Sequence, residues 1–293
     1  MKVFVTRRVP DRVRAELERS FEVDVYDSEL PPERDELQSL VAGCHGLVTM
    51  LTDRVDAELL DAAGPQLRIV ANYAVGLDNV DLAECERRGI AVSNTPDVLT
   101  EATAEMTIAL LLALTRRVAE GDRLLRRGEP WLWAPTFMLG RGLRGLTLGI
   151  VGYGRIGQAV ARLAGAHGMY VIHDAPLGEM LTAADIVSLH VPLTPETRHL
   201  IGRPELERMK PTAYLVNTSR GAVVDEQALA EALTEGRIAG AALDVFEREP
   251  EVEEALLAME NVVLVPHLAS ATVEAREAMG MLCVEALRKV LLA

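Results

Sequence analysis

Little in this chain marks it as secreted, membrane-spanning or nucleic-acid binding. Its 293 residues hold three cysteines, Cys44, Cys85 and Cys283, too far apart for a disulfide framework or a CxxC metal pair. A reducing, cytoplasmic setting is expected. Aromatic residues make up 4%, too few for base-stacking surfaces. Positive charge is also short: 30 Lys and Arg against 44 Asp and Glu give a formal net charge of −14, which repels a phosphate backbone. Only Lys2, Lys210 and Lys289 are lysines, a bias from which no function follows. The longest apolar run, Ile108 to Leu114, falls well short of a membrane span. The apolar stretch of MKVFVTRRVP is too short for a signal-peptide core and is followed by charge. What remains is ordinary globular material, 49% hydrophobic and 25% charged, at a length that suggests two domains.

The first 95 residues alternate β-rich runs (Val3–Val5, Val23–Tyr26, Gly46–Thr49, Leu67–Ala71, Ala91–Ser93) with helical patterns (Asp11–Arg19, Pro32–Val41, Asp56–Ala63, Asp81–Arg88). Repeated β-α units of this kind predict a parallel sheet with helices on both faces. Asp81 reads as a helix N-cap and Gly89 as a stop. Thr100 to Val118 reads as one long apolar helix, suited to connecting two domains. Residues 120–145 then break the rhythm with Gly, Arg and both tryptophans, Trp131 and Trp133. The segment reads as an arm or as a plain surface loop; large exposed aromatics usually need a partner surface, which favours an oligomer contact over a loop folded on its own subunit. From Leu146 the alternation resumes, with strands expected at Thr147–Val151, Tyr170–His173, Ile186–Leu189, Tyr214–Asn217, Ala239–Asp244 and Val262–Val265. A final helix is expected from Thr272 to Leu291.

The strand TLGIV leads into GYGRIG, that is Gly152, Gly154 and Gly157, then a helix and a second strand that ends near Asp174. A GxGxxG alone says little, but between a strand and a helix it points to a dinucleotide. Gly152 allows the tight turn, Gly154 lets backbone approach a pyrophosphate, and Gly157 allows close helix–strand packing. Asp174 would accept hydrogen bonds from ribose hydroxyls and repel a 2′-phosphate, and no Arg or Lys follows until Arg198. NAD is therefore expected, with NADP disfavoured. The plainer reading of Asp174 is a turn residue before Pro176.

Three ionisable residues lie just past expected strand ends, where ligands of parallel sheets bind: Arg220 after YLVNTS, Glu249 after AALDVFER and His267 after NVVLVP. Reduction of a keto acid needs a cation to bind carboxylate and polarise a carbonyl, a proton donor for the developing alkoxide, and a carboxylate to orient an imidazole. Singly, each could be a surface ion pair or a satisfied strand-end residue. His190, after IVSL, occupies a similar position, so topology alone does not choose between the two histidines.

The motifs ANYAVGLDNVDL (71–82), NTPDVLTEATAE (94–105), GIVGYGRIGQ (149–158), VSLHVPLTPETRHLI (187–201), NTSRGAVVDE (217–226), ALDVFEREP (242–250) and VPHLASAT (265–272) span most of the chain. Together they resemble the D-isomer-specific 2-hydroxyacid dehydrogenase family, and within it the glyoxylate/hydroxypyruvate reductases. The resemblance implies two Rossmann-like, doubly wound parallel-sheet α/β domains with a cleft between them. Residues 1–95 completed by 267–293 would be the substrate domain, and 96–266 the dinucleotide domain. It implies substrate binding by Arg220, with Glu249 supporting His267 as acid/base. It places the substrate carboxylate on the N–H groups of Val75 and Gly76, Leu51 over the substrate, and Trp133 in the partner's pocket of a homodimer. Cofactor contacts would come from Thr103, Arg155, Ile156, Thr218, Asp244, His267 and Ser270.

Two departures stand out. The segment HDAPLGEMLTAADI is shorter than the family's by roughly a dozen residues, and Asp174 falls one place earlier than the family's usual acid; together these would leave the adenosine pocket open on one side. Ala269 stands where Gly is usual. Val75, where a phosphite-oxidising relative would need Lys, argues against that chemistry. Phosphoglycerate remains an alternative substrate. An NAD-binding transcriptional corepressor, or an inactive scaffold of the same fold, remains an alternative role.

Overall fold

Near-continuous hydrophobic runs become the inner strands of two parallel sheets, because helices cover both faces of such sheets. The computed structural model describes residues 1–293, divided into two units, Met1–Leu99 with Ala271–Ala293, and Thr100–Ser270.

The first unit runs β1 (Lys2–Val5), α1 (Asp11–Glu18), β2 (Glu22–Val25), α2 (Arg34–Leu40), β3 (Gly46–Thr49), α3 (Ala57–Ala63), β4 (Ile69–Asn72), α4 (Leu82–Arg87) and β5 (Ala91–Ser93). Its sheet has the order β2-β1-β3-β4-β5, all parallel. The inner strands β3 and β4 are buried at every residue, whereas the edge strand EVDV alternates exposed and half-buried. The Asp81 carboxylate accepts the Glu84 N–H at 2.9 Å and starts α4 as expected.

The second unit runs α5 (Thr100–Thr115), α6 (Val118–Arg126), β6 (Thr147–Val151), α7 (Arg155–Ala166), β7 (Tyr170–Ile172), α8 (Leu177–Ala183), β8 (Ile186–Leu189), α9 (Arg203–Leu206), β9 (Tyr214–Asn217), α10 (Glu226–Thr234), β10 (Gly240–Leu243), α11 (Glu254–Leu257) and β11 (Val262–Leu264). Its six strands, again all parallel, lie in the order β11-β10-β9-β8-β6-β7. The chain winds outward from β6 to β7, then returns past β6 to β8 and winds the other way. That reversal opens a crevice between the carboxyl ends of β6 and β8.

The final helix, α12 (Val273–Leu291), belongs to the first unit. Thr272 caps it by accepting the Ala275 N–H at 3.1 Å. Gly280 lets it approach α1, since a Cβ there would lie 2.3 Å from a Val13 methyl.

One expected element is corrected. The helix read from Thr100 to Val118 is two helices, broken at Arg117, whose φ is +55°. The Thr115 carbonyl accepts the Arg141 N–H at 2.8 Å, so a residue returning from the arm satisfies this helix end. The start of the 120–145 segment is helical as α6, with no buried residue.

Candidate active site

The glycine turn follows β6. Gly152 has φ +96°, a left-handed conformation that a side chain disfavours. A Cβ on Gly152 would lie 2.6 Å from the His190 carbonyl carbon, and one on Gly157 would lie 2.3 Å from the Gly152 oxygen. Gly154 caps α7 and has open space where a Cβ would be. Two glycines thus press turn, strand and helix together, while the third leaves a clear approach to the helix N-terminus. Arg155 and Ile156 form the first turn of α7. This is the cradle a pyrophosphate requires, and the residues present fit a dinucleotide.

At the end of β7, His173 stacks on Tyr153 with ring centroids 3.6 Å apart and planes 7° apart. Its Nδ1 lies 2.8 Å from Asp174 Oδ1, and the Asp174 side chain is 90% exposed. Only His173–Pro176 link β7 to α8.

Arg220, Glu249 and His267 follow β9, β10 and β11 and are brought together by close loop packing. The Asn217 side chain shapes the first loop: its oxygen accepts the Ser219 N–H at 3.0 Å and its amide donates to the Arg220 carbonyl at 2.9 Å. Arg220 thereby enters a 3₁₀ turn at Gly221–Val223. A Cβ on Gly221 would lie 1.8 Å from the Phe246 carbonyl carbon, so the arginine loop rests directly on the glutamate loop. In that second loop, the Phe246 N–H donates to Glu249 at 3.0 Å and the Glu247 N–H donates to the buried Glu226 at 2.6 Å.

His267 has φ +53° and donates its N–H to the Asp244 carbonyl at 2.8 Å. Its Nδ1 lies 2.9 and 3.2 Å from the two Glu249 oxygens. A carboxylate on Nδ1 keeps the proton there and leaves Nε2 to face a reactant. Burial pushes the Glu249 carboxyl up, but the His267 hydrogen bond and charge, the Phe246 N–H and the Arg220 charge together hold it below the usual carboxylate range. Asp244 is fully buried, and its carboxylate accepts the N–H groups of Leu268 at 2.5 Å and Ala269 at 2.9 Å. It therefore clamps the histidine loop. Burial raises its carboxyl pKa against those two hydrogen bonds.

Thr107 joins Thr103 and Thr218. Its hydroxyl donates to the Thr103 carbonyl at 2.8 Å and lies 3.0 Å from the Thr218 hydroxyl. Ser270 is half-buried beyond the clamped amides. His190 has no carboxylate; its Nε2 lies 2.8 Å from Ser188 Oγ. Both Trp131 and Trp133 stand exposed in the arm, at 58% and 77%. In the first unit, Leu51 sits half-buried in the turn after β3. The Val75 and Gly76 carbonyls accept from Asn94 at 2.8 Å and Asn72 at 2.9 Å.

Asn217, Glu226 and Thr107, which shape these loops, were not singled out from the sequence. Their one signal was polarity at otherwise apolar strand ends and helix faces.

Residues 108–269 match the family model of the D-isomer specific 2-hydroxyacid dehydrogenase, NAD binding domain. A glyoxylate reductase of Korarchaeum cryptofilum is 51% identical over 303 residues, covering 97% of this chain and 91% of that protein. One from Thermococcus litoralis is 50% identical over 302 residues, covering 96% and 91%. Among solved structures, a Thermus thermophilus protein superposes with a TM-score of 0.94 at 48% identity, covering 100% of this chain and 97% of that one. An NADPH-dependent glyoxylate/hydroxypyruvate reductase from Sinorhizobium meliloti, in complex with NADP and malonate, gives a TM-score of 0.83 at 37% identity, covering 98% and 92%. The chain belongs to the D-isomer specific 2-hydroxyacid dehydrogenase family and is an NAD(P)-dependent oxidoreductase.

Proposed function

We propose that this protein reduces a small 2-keto acid, glyoxylate or hydroxypyruvate, to the D-2-hydroxy acid, with NADH preferred to NADPH. The observation that carries this reading is the Glu249–His267 pair beside Arg220, on the same edge of the sheet as the glycine turn. The residues of the glycine turn would hold a nicotinamide dinucleotide, which would supply the hydride. Arg220 binds the substrate and polarises its carbonyl. His267 Nε2 delivers the proton to the new alkoxide, and Glu249 stabilises the imidazolium that must be present beforehand. Val75 and Gly76 are the residues proposed to hold the carboxylate, with Leu51 beside the substrate. The cofactor contacts proposed are Thr103, Gly152, Gly154, Arg155, Ile156, Gly157, Asp174, Thr218, Asp244 and Ser270. None of the relatives above is named a regulator, which favours turnover over the corepressor and scaffold alternatives.

We infer further that the protein is a homodimer held through its exposed arm. No helix is long and apolar enough to cross a membrane. The three free, buried cysteines suit the reducing cytoplasm.

The test is oxidation of NADH and NADPH by the purified protein with glyoxylate, hydroxypyruvate and pyruvate. Reduction consumes a proton that the imidazolium donates, so kcat/KM for reduction falls toward alkaline pH. His267→Ala lowers kcat/KM by roughly 10²–10⁴-fold. A flat pH profile, or an active His267→Ala variant, would remove His267 from this role.

A further inference from the structure

His190 is the histidine that the catalytic pair leaves unused. It is the first residue after β8, and its N–H donates to the carbonyl of Val151, the last residue of β6, at 2.7 Å. Its own carbonyl is what the Gly152 turn packs against. His190 therefore stands where the sheet reverses its winding, between the carboxyl ends of β6 and β8, the position at which open α/β sheets receive their ligands.

The two ring nitrogens are not treated alike. Nε2 lies 2.8 Å from the hydroxyl of Ser188, a fully buried residue two positions back on the same strand. Nδ1 is buried and has no hydrogen-bond partner, and it is the one such side-chain atom in the second unit. Buried polar atoms are almost always paired, because the water lost on burial must be replaced. Whichever tautomer Ser188 selects, Nδ1 is left with an unmet proton or an unmet lone pair. Burial also pushes the imidazole down to about 4, so the ring is neutral near neutral pH and hydrogen-bonds without adding a charge.

We propose that His190 is a dinucleotide-binding residue whose Nδ1 completes its hydrogen bonding on a neutral group of the bound NAD(H), outside the pyrophosphate. The inference rests on the dinucleotide reading of this unit. It assigns the residue to cofactor affinity and keeps it apart from proton transfer.

Two isosteres separate the ring nitrogens. Asparagine places its amide where Nδ1 stands and loses the Ser188 contact. Glutamine reaches Ser188 as Nε2 does and leaves the Nδ1 position empty. NADH binding is measured directly by the fluorescence of the bound nucleotide, without turnover. His190→Gln is expected to raise the Kd for NADH roughly ten- to hundredfold, while His190→Asn stays within about threefold of the parent. In the unaltered protein carrying ¹⁵N-histidine, the Nδ1 resonance of His190 is expected to shift on titration with NADH, and Nε2 to move less. If both variants bind as the parent does, or if Asn loses as much as Gln, the Nδ1 assignment is overturned. The same holds if the Nδ1 resonance stays in place while NADH binds. If the unaltered protein itself fails to bind NADH, the cofactor reading falls first, and this inference falls with it.

Discussion

At the scale of single residues, the site depends on how the surroundings offset the cost of a few charges. Glu249 is desolvated, which opposes its charge, yet it stays ionised because an imidazole, a backbone N–H and a guanidinium all favour the anion. Its pKa is lower folded than unfolded, so its contribution to stability is complete above the ordinary carboxylate range and is lost as pH falls through the folded value. Glu249→Gln is therefore expected to lower the melting temperature near neutral pH. The difference from the parent should narrow as pH falls below the ordinary carboxylate range and close once Glu249 is protonated in the folded state as well, measured by thermal unfolding across pH. The same variant should lower kcat/KM for reduction by roughly 10–100-fold. A melting difference that persists unchanged into acid would show that Glu249 acts there as a neutral spacer.

At the scale of elements, the strands that carry the chemistry are ordinary, and the specificity lies in how their following loops stack. Gly221 is the clearest case, because a methyl there would meet the Phe246 carbonyl at 1.8 Å, and the backbone at either loop would have to move. Gly221→Ala should therefore displace Arg220 from Glu249 and His267, at a cost of about 1–3 kcal/mol in stability. Kinetically it should lower kcat/KM by roughly 10²-fold. A variant with parental kinetics would show that the loops tolerate separation. This stacking also marks what the sequence could disclose. Periodicity and glycine placement were enough for the strands and the dinucleotide turn, since those depend on neighbours in the chain. The motifs of the family resemblance pointed to Arg220, Glu249 and His267. Asn217 shapes its own loop locally, but that turn says nothing by itself about the arginine it positions. Glu226 and the clamp role of Asp244 were not legible, because each holds a loop more than twenty residues away in sequence. The break at Arg117 was hidden for the same reason: its helix end is satisfied by Arg141, from the far side of the arm.

At the scale of the whole molecule, the arm is the feature that one chain does not account for. Trp131, Leu132, Trp133 and Leu139 are 58%, 81%, 77% and 64% exposed, and α6, which leads into them, buries none of its residues. A folded chain gains nothing by leaving two indoles and two leucines in water. A second copy would bury them, and tryptophan is among the residues that dominate such contacts. Trp133→Ala should weaken self-association by about 2 kcal/mol or more, roughly thirtyfold in Kd, read by sedimentation over a dilution series. Its unfolding at high protein concentration should stay close to the parent's, because the indole packs on little of its own chain. If the parent is monomeric at every concentration, the arm has some other partner. If Trp133→Ala associates as tightly as the parent, the contact lies elsewhere on the surface. Loss of both association and activity in the same concentration range would tie turnover to the dimer, as expected if Trp133 reaches its partner's substrate pocket.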